Sequence, residues 1–424
     1  MKFKAQAGGL LAGIKPLLAV ATKGTQDDYP QVNLITLTAV LNAVQGVADG
    51  GLVKILNEIG NDNYNLDYVC EEDGVATVNA SDLYCSLDSF PPSSVLTIKL
   101  DNVAGGRSLV ISDSNDESQS LPVHDNHCEY NPPEPDKKGK SVSITLRRDM
   151  FISYANKIAF AQGEMEQFKQ YTYWVMRAIG PDHLRFAAGS GNRFAVVDLE
   201  GSNLNNSKNT VSILFPNEQS KALLSVLGGL RCEDIVIEPQ SSFINITCGK
   251  TKLCILNVDP SISWPDENKL LERTSKFMFT TKVANWKGAI KGIVATNNDE
   301  QRKQNQVHGC SLSIDLAKKL IQTKADAVMK SSRKVSIDDF ASNEAEREFE
   351  ILCTSVYLNE ILSKSGDETY LQFEVDGVNS PVVVRFYSSQ NVGDPKNFVK
   401  ATDDGIKERY SVLFSTIKKP GQKN

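Results

Sequence analysis

A chain of 424 residues with 41% apolar and 23% charged side chains is globular in composition and long enough for two to four domains. No apolar run reaches the roughly 18–20 residues needed to span a bilayer, which excludes an ordinary helical membrane protein. A net charge of −6 excludes a protein that coats nucleic acid with its whole surface, yet leaves room for one basic face on an acidic body.

At the N-terminus, Lys2 and Lys4 precede the apolar run Gly8–Ile14, and small residues follow at Ala19-Val-Ala21, the outline of a secretory leader. Lys15-Pro16 interrupts that run. Leu10, Ile14, Leu17, Leu18 and Ala21 also fit one face of a helix, which is the preferred reading. A short helix pattern follows at Asn79–Leu87. Strand patterns at Val95–Leu100 and Ser108–Ile111 flank a turn at Ala104-Gly-Gly106. His124–Lys140, rich in proline and charge, reads as a linker.

Beyond the linker come a strand at Val142–Leu146 and a helix at Arg148–Gln162. A helix at Asn217–Leu227 leads to strands at Asp234–Ile237, Phe243–Ile246 and Leu253–Leu256. The same plan returns as a strand at Lys276–Phe279, a helix at Thr281–Thr296, a helix at Ser355–Leu362, and strands at Tyr370–Phe373 and Val382–Phe386. Matching segments recur about every 135–140 residues, close to one ordinary domain. The expectation is three copies of one domain, at residues 1–135, 136–272 and 273–424.

One stretch breaks the repeat. After a strand at Ser311–Ile314, Leu316–Ser332 reads as a helix carrying Lys318, Lys319, Lys324 and Lys330, before strand-like Lys334–Ile337. A basic helical insertion near 315–334 is expected, either a solvated surface helix or an added contact for nucleic acid or a partner.

The three leading helices carry related charge. Val283, Trp286, Ile290 and Ile293 form an apolar stripe with Lys282, Lys287 and Lys291 off it. Phe151, Tyr154, Ile158 and Ala161 do the same, with Arg147, Arg148 and Lys157 off the stripe. Lys15 and Lys23 are their counterparts in the first helix. A lone run of this kind is usually a solvated face. Three at matched positions point to a shared basic surface.

Catalytic chemistry is not legible. None of the eight cysteines forms a C-x-x-C pair, and several fall inside strand or helix patterns as small buried hydrophobes, which favours a reducing, cytoplasmic compartment. His124, His127 and Cys128 offer three metal ligands without a second cluster to close a tetrahedron. Gly189-Ser-Gly191 lacks the third glycine of a dinucleotide loop. A non-catalytic scaffold without cofactor or metal is expected.

In order and spacing, the chain resembles the bacterial sliding clamp, the beta subunit of DNA polymerase III. Gly13–Val20 resembles that family's first helix, with its Lys-Pro-Leu. Leu184–Val197 resembles its L-x-x-x-A-T-D-G-H-R-L-A segment, and Val211–Pro216 its V-I-V-P block. Ser263–Asp266 resembles its F-P-D-Y, and Tyr410–Ser415 its closing strand. The resemblance implies an α+β fold of three tandem clamp domains, with helices lining a ring and β-sheets forming its outer wall. Two subunits would close head to tail as a homodimer. It also implies a DNA-replication role as a processivity factor encircling double-stranded DNA, with Lys15, Lys23, Arg147, Arg148, Lys157, Lys282, Lys287 and Lys291 facing the phosphates. DNA polymerase and the clamp loader would be held through a short peptide motif. A clamp-fold scaffold that no longer encircles DNA is the alternative.

The family's peptide pocket carries over to Tyr173, Gly189, Gly191, Asn192, Arg193, Phe194, Pro265, Lys269, Leu270, Val412, Leu413 and Phe414. Asn192 stands for the usual histidine, Gly189 for threonine, Ser190 for aspartate and Phe414 for proline, and the chain runs past Ser415 to Asn424. The resemblance therefore implies a peptide pocket with an altered preference. Such departures point to a phage, plasmid or otherwise specialised clamp.

Overall fold

The computed structural model describes residues 1–21, 33–103, 106–135, 142–163, 166–273, 275–295, 309–326, 330–345, 347–377, 379–387, 400–401 and 405–416. Its elements run through one plan three times. The first pass opens with β1 (Lys2–Gln6), α1 (Ala7–Ala21), β2 (Leu34–Val40), β3 (Ala43–Asp49) and β4 (Val53–Gly60). It continues with α2 (Asn61–Tyr64), β5 (Val69–Glu72), β6 (Gly74–Asn79) and α3 (Ala80–Asp88), and closes with β7 (Val95–Val103), β8 (Gly106–Ser112) and β9 (Ser118–Pro122).

The second pass has β10 (Ile144–Arg147), α4 (Arg148–Ile158), β11 (Tyr173–Ile179), β12 (His183–Gly189), β13 (Arg193–Glu200) and β14 (Thr210–Pro216). Then come α5 (Asn217–Gly229), β15 (Asp234–Pro239), β16 (Ile244–Cys248) and β17 (Thr251–Ile255), with the short α6 (Glu267–Leu271) after them. The third has β18 (Phe277–Lys282), α7 (Val283–Ala295), β19 (Gly309–Asp315), β20 (Leu320–Asp326), β21 (Lys330–Ser336), β22 (Asp339–Ser342) and β23 (Glu348–Thr354). It ends with α8 (Ser355–Ser363), β24 (Tyr370–Val375), β25 (Val382–Tyr387), β26 (Lys400–Ala401) and β27 (Lys407–Phe414).

Contacts divide the chain into two compact units, the first comprising residues 1–153, 205–207 and 213–262. It holds a five-stranded sheet, β5-β1-β7-β8-β9, and an eight-stranded sheet, β10-β15-β16-β17-β4-β3-β2-β6. Helix α1 buries Leu10, Ile14, Leu17 and Ala21 of the face its spacing predicts, together with Val20, which that spacing left out, while Leu18 is only half-buried. Gly13 permits its close approach to the sheet, since a Cβ there would lie 2.5 Å from Ile59 Cγ2. The side chain of Asn57 donates to the Gly13 carbonyl at 2.7 Å, satisfying a buried acceptor. Helix α3 starts where Asn79 accepts from the backbone of Ser81 and Asp82, the cap its polar side chain favours.

Two expectations change in this unit. Cys232 and Cys248 form a disulfide, whereas the cysteine pattern favours a reducing compartment with several thiols buried as small hydrophobes. Spacing gave no sign of it, because the chain brings the end of β16 back beside the α5–β15 connection. The start of the expected linker is also docked: His124 N–H donates to Thr77 O at 2.8 Å, and the Cys128 side chain is buried.

The second unit comprises residues 154–204, 208–212 and 263–424. Starting from the Thr210–Ser212 end of β14, its large sheet runs β11-β12-β13-β27-β25-β24-β18-β22, with β26 beside β27. Its smaller sheet runs β21-β20-β19-β23. The core is aromatic: Phe279 stacks on Phe373 with ring centroids 5.0 Å apart, and Trp286 on Phe373 at 5.6 Å.

The helix expected over Leu316–Ser332 is absent. That stretch holds the Leu316–Lys319 turn and strands β20 and β21, which pair from Leu320↔Ser336 to Asp326↔Lys330. Buried Ile321 and Thr323 alternate with more exposed Gln322 and Lys324, a period of two that outweighs the helical spacing of the lysines. Lys319 adopts φ 51° to close the turn. The segment is no insertion either, since β19–β21 occupy the place in the third pass that β2–β4 occupy in the first. Among the described residues no helix is long and apolar enough to cross a membrane.

Candidate functional site

Strand β12 ends at Gly189, the chain turns through Ser190–Asn192, and β13 begins at Arg193. The Ser190 N–H closes the turn by donating to Arg193 O at 2.8 Å. Pairing of β13 with β27 sets Arg193 opposite Phe414, Phe194 opposite Leu413 and Ala195 opposite Val412. The Ser415 N–H adds a bond to Asn192 O at 2.8 Å. Residues distant in sequence are thereby brought to one sheet end.

A cleft of ≈ 230 Å³ opens there, lined by Gln162, Gly163, Phe168, Tyr171, Ser190, Gly191, Asn192, Arg193 and Tyr357. Of the residues expected from sequence, Gly191, Asn192 and Arg193 line it. Tyr173, Phe194, Val412, Leu413 and Phe414 are buried core residues. Pro265 and Leu270 are half-buried and Lys269 is exposed. Phe168, Tyr171, Trp264 and Tyr357 went unrecognised as site residues. An aromatic run through Tyr171, Tyr173 and Trp174, and the tryptophan beside Pro265, were the available signals.

Aromatic contacts build the wall. Phe194, 2% exposed, lies 6.1 Å from Trp264 between ring centroids. Tyr171 meets the same indole edge-on at 6.2 Å and also lies 6.2 Å from Phe168. Gly189 has no side chain because Phe194 takes the space: a Cβ would sit 2.5 Å from its Cδ2 and 3.0 Å from Tyr171 Cδ1. Arg193 adds a charged contact: its Nη1 donates to Glu360 at 3.0 Å while its guanidinium lies 4.9 Å from the Tyr357 ring centre. Burial pushes the Glu360 carboxyl up despite the opposing pull of Arg193. The volume is below the range of about 300–1,000 Å³ common for small-molecule sites.

The predicted phosphate-facing cations are placed differently from one another. Lys15 and Arg147 are exposed. Arg148 pairs with its neighbour Asp149 at 2.6 Å. Lys157 pairs with Glu408, its ammonium 4.9 Å from the Tyr410 ring centre. Lys282 pairs with Glu368 at 2.6 Å, and Lys287 with Asp367. Lys23 lies outside the described residues, as does the side chain of Lys291. His127 and Cys128 do not converge as ligands: His127 Nδ1 shares a hydrogen bond with Thr77 Oγ1 at 2.7 Å, and the Cys128 thiol donates to Leu34 O at 3.5 Å. No metal-holding group of three such side chains occurs among the described residues.

The fold is that of the DNA polymerase III beta subunit. The chain matches the structure of that subunit from Pseudomonas aeruginosa with a TM-score of 0.75 at 17% identity, covering 99% of this chain and 100% of that one. It matches the DNA polymerase sliding clamp from Caulobacter crescentus with a TM-score of 0.73 at 16% identity, over 99% and 100% of the two chains. The beta subunit from the DNA polymerase of Streptococcus pyogenes gives 0.75 at 13% identity over the same shares. No family model and no curated protein matches the sequence.

Proposed function

We propose that the chain is a DNA sliding clamp, a non-catalytic processivity factor that encircles duplex DNA and tethers a polymerase and other DNA-processing proteins. The observation that carries this reading is the end-to-end correspondence of fold with clamp subunits, covering 99% of this chain and 100% of the subunit from Pseudomonas aeruginosa. The strand edges support ring closure by a second copy. The closing strand of the second pass pairs with the first pass, β17 with β4, and that of the third pairs with the second, β27 with β13. By the same rule β9 and β21 remain at the ends of their sheets, available to a neighbouring subunit. Phosphate contacts from the helix cations would be independent of sequence and weakened by salt. Tethering raises the effective concentration of a polymerase at the primer end. The cleft beside Arg193 and Phe168 would take the partner's peptide, in a cytoplasmic protein working at the nucleoid.

A second reading, a clamp-fold scaffold that no longer encircles DNA, is favoured by the carboxylates paired with Lys157, Lys282 and Lys287. One set of measurements separates the two. A clamp has a solution mass of twice the 46.6 kDa chain, is retained on nicked circular DNA and is released when the circle is cut. A dimer lost equally from both templates defeats encirclement, and a monomer lost from both favours the scaffold.

A further inference from the structure

Strands β11 and β12 pair so that Arg177 lies directly opposite Arg185. Like charges so placed on one sheet face are unfavourable unless an anion joins them. Asp198 supplies one, accepting from Arg185 Nε at 2.6 Å and Nη2 at 3.0 Å. Burial alone would lower the Arg185 pKa, but Asp198 and Glu267 hold it above its ordinary value. Glu267, the first residue of α6, supplies the other. Its carboxylate is 0% exposed, accepts from Arg177 and lies 3.5 Å from Arg185 Nη1, which also donates to Asn268 Oδ1 at 3.0 Å. The far end of α6 is held too, where Arg385 Nη2 donates to Leu271 O at 3.0 Å. Trp264, three residues before Glu267, carries the aromatic contacts to Phe194 and Tyr171.

We propose that Glu267 is an internal carboxylate ligand for the Arg177–Arg185 pair, a latch that seats the 263–271 segment on the sheet and so positions the aromatic wall of the cleft. Glu267 is a positioning residue. A buried carboxylate between two guanidinium groups is held strongly, and its removal leaves two cations facing each other in a low-dielectric site. Its consequence for partner binding rests on the peptide-cleft reading. The latch itself does not, and its test contains no partner.

The test uses the full chain with Glu267→Ala and Glu267→Gln. Trp174 and Trp286 are fully buried, so acrylamide quenching reports mainly on Trp264. The latch predicts increased quenching and about tenfold faster amide exchange over residues 263–272 in Glu267→Ala, a local opening rather than global unfolding. Added formate should restore protection by filling the vacated carboxylate site, whereas chloride at equal ionic strength should not. Glu267→Gln keeps the side-chain shape without the charge and should show the same increase, so a misfolded alanine variant would not decide the matter. Unchanged exchange and quenching in a folded variant would overturn the latch, as would equal recovery with chloride.

Discussion

Replacing Gly189 by alanine should destabilise the unit that holds the cleft. Gly189 lies opposite Phe194 across β12 and β13. The new methyl would stand 2.5 and 2.9 Å from the Phe194 ring and 3.0 Å from Tyr171. Neither ring has an easy escape, because both already meet Trp264. Overpacking of this kind costs about 1–3 kcal/mol. For a folding unit of this size, that lowers the melting temperature by roughly 3–10 °C. Thermal denaturation followed by tryptophan fluorescence measures it. A double mutant with Phe194→Ala supplies the internal check, since removing the ring removes the collision. The second substitution should then make Gly189→Ala nearly neutral, with a coupling of about 1–3 kcal/mol. An unchanged midpoint in Gly189→Ala, or strictly additive costs, would refute the steric argument. The same collision explains glycine where the clamp resemblance leads one to expect threonine, whose side chain is larger still.

Three further outcomes are expected. Burial alone would raise the Asp198 carboxyl, but hydrogen bonds from His183 and Arg185 hold it below its ordinary value. Its stabilising contribution is therefore complete above the unfolded carboxyl's pKa of about 3.9 and is lost as pH falls through the lower folded value. Asp198→Asn should cost about 3 kcal/mol at neutral pH in urea unfolding, a difference that shrinks in acid; a constant difference would contradict the ion pair. Burial pushes the Cys254 thiol up to about 11, so iodoacetamide at pH 8 should label exposed Cys85 in the native protein and spare Cys254. Labelling of both at equal rates would contradict that burial. Reducing Cys232–Cys248, 16 residues apart in sequence, should lower stability by about 3 kcal/mol in urea titrations with and without dithiothreitol. Identical midpoints would contradict a stabilising crosslink.

The sequence by itself determined which segments bury a face. The α1 stripe, the helices expected at 79–87, 148–162 and 217–227, and the recurrence of strands after them follow from periodicity, because burial imposes a spacing on each element whatever it packs against. Periodicity does not say which partner covers the face, and there tertiary structure decided. Lysines at helical spacing over 316–332 lie on β20, β21 and the turn before them, because alternate residues on β20 meet the buried side of a sheet that β19 completes by pairing with the distant β23. Gly191, Asn192 and Arg193 could be placed at the cleft from one local segment, whereas Phe168 and Tyr357 reach it from separate places in the chain and Trp264 backs Tyr171 from a third. The lysines on and just before the leading helices were legible as charges, but not their pairing with the carboxylates of Asp367, Glu368 and Glu408, which meet three of them. A charge is a property of one residue. An ion pair is a property of the fold, since it exists only where the chain returns within a few ångströms of itself.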